Sequence, residues 1–127
     1  MPESKRLSVI LTLDTNGVLR ALDIRGHAGS APKGANIPCA GATLLAKTAY
    51  ETLRALPGLR FSGEAPEPGI LGVSLESYGE ENQGQLRGVT EFLKTGFIVL
   101  SGKYPQEVLL EIKLIGGRWE ERRVGKD

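Results

Sequence analysis

Residues 26–43, GHAGSAPKGANIPCAGAT, hold the chain's single histidine and single cysteine, His27 and Cys39, on either side of a stretch of glycine, proline and small polar residues. Thiol and imidazole together can carry nucleophilic chemistry, the ring taking the proton and the thiolate attacking a carbonyl. His27 follows an alternating apolar run and Cys39 opens a run of helical character, so the intervening loop can fold back and bring the two together. A helix N-terminus suits such a sulfur, because the positive end of the helix dipole favours thiolate over thiol. The backbone N–H groups of Cys39 and Ala40 at that end can hold a developing oxyanion. Gly26 and Gly29 flank the histidine, and Gly34 and Pro38 shape the approach to the cysteine, as suits a loop that must open for a substrate. The plain alternative is a cysteine acting as a small buried hydrophobe and a histidine with no chemical task.

The flanking segments must position this pair. Residues 7–14 alternate, with Val9, Leu11 and Leu13 on one side, which reads as a strand; Asn16-Gly17 supplies the left-handed conformations of a tight hairpin, and residues 18–25 return as a second strand ending just before His27. Residues 39–56 read as a helix, with Ala42, Thr43, Ala46, Tyr50 and Leu53 at spacings of three and four and Pro57-Gly58 as the stop. Gly41 near its start leaves room for a close neighbour. Residues 59–69, rich in proline and glycine, read as a loop, and residues 70–76 as a third strand. Residues 82–103 place Leu86, Val89, Leu93, Phe97 and Leu100 on one helical face; Phe92 lies off that stripe, either at the margin of a wide core face or in contact with a second copy. Residues 108–115 give a fourth strand, Gly116-Gly117 a second tight turn, and residues 118–124 a fifth, charged edge strand. The order β-β-α-β-α-β-β predicts an α+β two-layer sandwich: a mostly antiparallel sheet of four to five strands with two helices on one face, forming one domain over residues 1–127.

Composition narrows the function. With 40% hydrophobic and 24% charged residues, 127 residues are of the size and make-up of one globular domain. Sixteen Lys and Arg against fifteen Asp and Glu leave a net charge of +1 with no block of like charge, which argues against direct nucleic-acid binding. No apolar run approaches membrane-spanning length, and a lone cysteine suits a reducing cytoplasm. One histidine and one cysteine make no zinc site, GHAGSAPKG lacks the end of a phosphate-binding loop, and a single cysteine excludes a dithiol redox motif. No metal or cofactor is therefore expected.

The pattern Gly26-His27-Ala28-Gly29 with Ala31, a short glycine-containing loop, then Ile37, Cys39 and Ala40 opening a helix resembles the ribosomal-processing cysteine protease family, Prp. Lys103-Tyr104-Pro105 is also similar to that family, and the resemblance spans nearly the whole domain. It implies that His27 and Cys39 are a catalytic dyad. It further implies that the substrate is the N-terminal extension of a large-subunit ribosomal protein, the twenty-seventh of its series, cut after an aromatic residue. A homodimer and a mobile loop over the active site, here residues 30–36, belong to the same implication. The chain departs from the family pattern at Asn36, where an acidic residue is usual, and at Thr43, where serine is usual and the hydroxyl is kept. An amide can orient an imidazole but supplies no negative charge to an imidazolium. Asn36 thus keeps a second reading in view, a non-proteolytic, peptide-binding ribosome assembly factor of the same fold.

Overall fold

The computed structural model describes residues 6–26, 37–67, 70–115 and 120–123. In β1 (Leu7–Leu13), Leu7, Val9, Leu11 and Leu13 are buried, whereas Ser8, Ile10 and Thr12 between them are only half-buried. This is the two-residue period of a strand with one face on a core. β2 (Leu19–Gly26) runs antiparallel beside it and buries Leu22 and Ile24. The turn joining them is wider than the tight hairpin that Asn16-Gly17 suggests. The Asp14 N–H donates to the Val18 carbonyl, the Gly17 N–H donates to the Asp14 carbonyl, and within this turn Gly17, at φ +78°, is the one left-handed residue, Asn16 not being left-handed.

The chain then forms α1 (Ile37–Arg54), β3 (Arg60–Glu67), β4 (Ile70–Ser77), a 3-10 turn over Glu80–Asn82, α2 (Gln83–Lys103), β5 (Val108–Leu114) and β6 (Glu120–Arg123). The strands make one six-stranded sheet in the order β3-β4-β2-β1-β5-β6. Every neighbouring pair is antiparallel except β1 and β5, which are parallel. The α+β sandwich is as expected, with one strand more than the four to five expected. Residues 59–69 are not a loop: β3 occupies most of them. Its Gly63 and Pro66 disguise it, but β3 is the sheet's edge, where a proline costs no ladder bond that a neighbour needs, and its register with β4 shifts between Glu64 and Glu67. The Gly116-Gly117 turn lies outside the described residues, and β6 pairs antiparallel with β5.

The two helices pack antiparallel on the buried face. A Cβ built on Gly41 of α1 would lie 3.1 Å from Leu100 of α2, and one on Gly96 of α2 would lie 3.0 Å from Leu45 of α1. The room expected at Gly41 is thus filled by a neighbouring helix. Leu86, Leu93 and Phe97 of α2 are buried in the core, with Val89 and Leu100 half-buried beside it. Burying a side chain the size of Phe97 contributes about 2–3 kcal/mol. Phe92 is 67% exposed, so the core-margin reading of that residue is corrected. Buried Thr90 ties the layers together: its hydroxyl accepts from the Leu19 N–H of β2 at 2.8 Å and donates to the Leu86 carbonyl at 2.8 Å. No helix among the described residues is long and apolar enough to cross a membrane.

Candidate active site

α1 begins two residues earlier than expected, at Ile37, so Cys39 is in its first turn and does not open it. Proline is tolerated there, because the first-turn N–H groups need no partner within the helix, and buried Pro38 sits at the second position. Cys39 is half-buried and packs against the core. The helix dipole presents its positive end to this turn, and no acidic side chain in the first turn offsets it.

Register and packing place this turn at one end of the sheet. Gly26, the last residue of β2, is opposite Leu7 of β1, and Leu7 is opposite Val108 of β5. Val108 donates its N–H to the Tyr104 carbonyl, and the Tyr104 N–H donates to Leu100, one turn inside α2. Leu100 is the residue against which Gly41 packs. Gly26 and the Cys39 turn are therefore at the same end of the domain. At Gly26 two constraints select glycine: φ is +95°, and an added Cβ would lie 2.6 Å from the Arg6 carbonyl oxygen. The strand thus ends in a backbone conformation that glycine alone adopts without strain.

Of the other residues singled out from sequence, Ala40 is exposed beside Cys39, and Thr43, one turn further on, is exposed and not part of the core face expected of it. His27, Gly29, Gly34 and Asn36, with the rest of residues 30–36, lie outside the described residues. Sequence reasoning did not find the wall facing α1. Tyr50 stacks edge-on against Phe61 of β3, with ring centroids 5.5 Å apart, and lies over Gly63, where a Cβ would come within 2.7 Å of its ring. A glycine inside a stretch able to form a strand is the signal that points to such a close approach.

The opposite end of β2 is locked by polar groups. Asp14 accepts hydrogen bonds from the N–H groups of Asn16 at 2.9 Å and Val18 at 3.1 Å, and from the Tyr78 hydroxyl at 2.7 Å. Arg20 pairs with Asp14 at 3.3 Å, donates to the carbonyls of Leu75 and Glu76, and lies 5.6 Å from the Tyr78 ring centroid. Burial raises the Asp14 pKa, but the bonds from Tyr78, Val18, Asn16 and Arg20 outweigh it and hold the carboxyl below its ordinary 3.8.

An α+β sandwich with a thiol in a helix's first turn, beside the end of a central strand, is the framework of a candidate thiol hydrolase. The family model for cysteine protease Prp matches residues 7–109, and the chain belongs to that family. A protein from Streptococcus mutans, SMU.848, is 20% identical with a TM-score of 0.71, over 91% of this chain and 100% of its own. The ribosomal processing protease Prp from S. aureus, solved with a covalently linked product peptide, is 18% identical with a TM-score of 0.71, over 84% of this chain and 99% of its own. The same S. aureus protease with a substrate peptide gives 17% identity and a TM-score of 0.66. No curated relative matches the sequence.

Proposed function

We propose that the chain is a cysteine endopeptidase in which His27 and Cys39 form the catalytic dyad and the substrate is the N-terminal extension of a large-subunit ribosomal protein, the twenty-seventh. The observation that carries this is the placement of Cys39 in the first turn of α1 at the Gly26 end of β2, within a family match that spans both dyad positions. His27 takes the Cys39 proton, and the thiolate attacks the peptide carbonyl. The N–H groups of Cys39 and Ala40 hold the oxyanion. Collapse of the intermediate breaks the C–N bond as imidazolium protonates the leaving amine. Water then hydrolyses the thioester, restoring thiol and imidazole. Gly29 and Gly34 let residues 30–36 open for the peptide, and Asn36 orients the ring in place of an acidic residue. Thr43, exposed one turn beyond Cys39, is an auxiliary hydroxyl on the same helix face.

The S. aureus relative is described as a ribosomal processing protease bound to substrate and product peptides, which supports a peptide substrate, and a ribosomal substrate supports a cytoplasmic setting. The exposed apolar side chains Leu44 of α1 and Phe92 and Val99 of α2 support a homodimer, which sedimentation of the purified protein would test.

The deciding experiment incubates the full chain with a peptide matching the N-terminus of its host's ribosomal protein and reads the products by mass spectrometry. Cleavage at one bond, lost in both Cys39→Ala and His27→Ala, is expected. Intact peptide in the presence of folded wild-type protein would favour the peptide-binding assembly factor, the reading that Asn36 supports.

A further inference from the structure

Each helix carries a glycine four residues before a leucine: Gly41 and Leu45 in α1, Gly96 and Leu100 in α2. Residues four apart on an α-helix stand one above the other on the same face. Because the helices run antiparallel, the two pairs meet in reverse order. A Cβ on Gly41 would lie 3.1 Å from Leu100 Cδ1, and one on Gly96 would lie 3.0 Å from Leu45 Cδ2. Each leucine thus fills the space left open by the other helix's glycine. Glycine weakens a helix interior, so these two positions need a reason, and the other glycines of α2 supply the contrast. A Cβ on Gly84, Gly88 or Gly102 would meet nothing within 4 Å.

One leucine against one glycine sets how closely two helices approach. A second pair, one turn away and reversed, also sets how far each helix has slid along the other. A slip of one residue, about 1.5 Å of rise and about 100° of turn, takes both leucines off the glycines. The frame that holds Leu100 is itself tied to the sheet. The Leu100 carbonyl accepts from the Tyr104 N–H at 3.0 Å, the Tyr104 carbonyl from the Val108 N–H at 2.9 Å, and the Glu107 carbonyl from the Leu7 N–H at 2.7 Å. The last turn of α2 is therefore bonded to the start of β5 and, through Glu107, to β1, where Leu7 is opposite Gly26. Cys39 is two residues before Gly41, about 3 Å of rise, so the contact that seats Gly41 on Leu100 also seats the turn that carries the sulfur.

We infer that the Gly41–Leu100 and Leu45–Gly96 contacts are a register lock that sets the Cys39 turn against the Gly26 end of the sheet, which makes Gly41 and Leu100 positioning residues for cleavage. The assignment rests on the cysteine protease reading. A methyl group at Gly41 must move either Leu100 or the first turn of α1 by a few tenths of an ångström. Attack on a carbonyl is sensitive to such shifts, since a misplacement of about 1 Å can cost about 100-fold in rate.

The test compares four full chains: wild type, Gly41→Ala, the double variant Gly41→Ala/Leu100→Val, and Gly88→Ala. The double variant restores the number of side-chain carbons at the contact, and Gly88→Ala makes the same glycine-to-alanine change where a Cβ meets no neighbour. One readout is steady-state cleavage of the peptide matching the host's ribosomal protein. The other is the rate at which iodoacetamide alkylates Cys39, the chain's one cysteine, followed by intact mass. Gly41→Ala is expected to lower kcat about tenfold with KM within about twofold, and to slow alkylation about threefold. Its melting temperature should hold or rise, because alanine is the better helix former. The double variant should recover both rates to within about twofold of wild type, and Gly88→Ala should match wild type throughout. Wild-type kcat and alkylation in Gly41→Ala, or a folded double variant as slow as Gly41→Ala, overturns the lock and leaves the protease reading standing. A loss of kcat matched by an equal loss of folded protein overturns it too. Folded wild type that cuts nothing, while alkylation follows the expected order, overturns the protease reading and leaves the lock.

Discussion

The two ends of β2 are built on opposite principles. At the Leu19 end, Asp14, Asn16, Arg20 and Tyr78 saturate one another and the turn's backbone, and they fasten the β1–β2 hairpin to the end of β4. At the Gly26 end the first turn of α1, Ile37, Pro38, Cys39 and Ala40, with Gly41 after it, is small or apolar, and backbone approach and helix packing hold Gly26 and Gly41 in place. A cross-linked polar cluster holds a hairpin in one geometry. Polar cross-links thus hold the Leu19 end, whereas backbone approach and helix packing hold the Gly26 end.

The largest effect that separates the ends is on activity. Cys39→Ala should abolish peptide cleavage while leaving the thermal melting curve close to wild type, since the change removes one sulfur from a half-buried position. Residual cleavage at the wild-type bond would break the assignment of chemistry to the Gly26 end.

Gly26→Ala comes next. Its φ of +95° and the 2.6 Å approach to the Arg6 oxygen make a Cβ doubly unfavourable. A loss of about 2 kcal/mol or more in urea unfolding is expected, with cleavage reduced because residue 27 is redirected. Wild-type stability in this variant would mean that the strand end is not constrained.

Asp14→Asn should cost about 1–2 kcal/mol through weakened hydrogen bonds and leave cleavage per folded molecule unchanged. The sign with pH follows from a carboxyl held below 3.8 in the folded state: its contribution is present above that value and is lost as pH falls through the folded pKa. Acid titration of stability should therefore be shallower in Asp14→Asn than in wild type. Equal acid limbs would show that the cluster does not act through this charge.

The smallest change is expected from Asn36→Asp, which restores the acidic residue usual in the family and should preserve or raise cleavage. A sharp loss with the fold intact would give the amide a role of its own.

Local pattern was enough to read both helices, five of the six strands and the pairing of a lone thiol with a helix start, because period-two and period-3.6 burial are written into neighbouring residues. The strongest functional cue was equally local, a histidine and a cysteine in a glycine-rich frame. β3 was hidden, since Gly63 and Pro66 are poor strand residues: a proline is tolerated at a sheet edge, and the glycine makes sense only beneath Tyr50. The Asp14–Tyr78 link across 64 positions also depends on a partner remote in sequence, and the exposure of Phe92 and Thr43 follows from which face of each helix meets the rest of the fold. The chain by itself therefore determined which groups could react. Only the tertiary structure decided what packs along α1, because the groove lined by Ala46, Tyr50, Gly63 and Leu71 exists only where a helix and a distant hairpin meet.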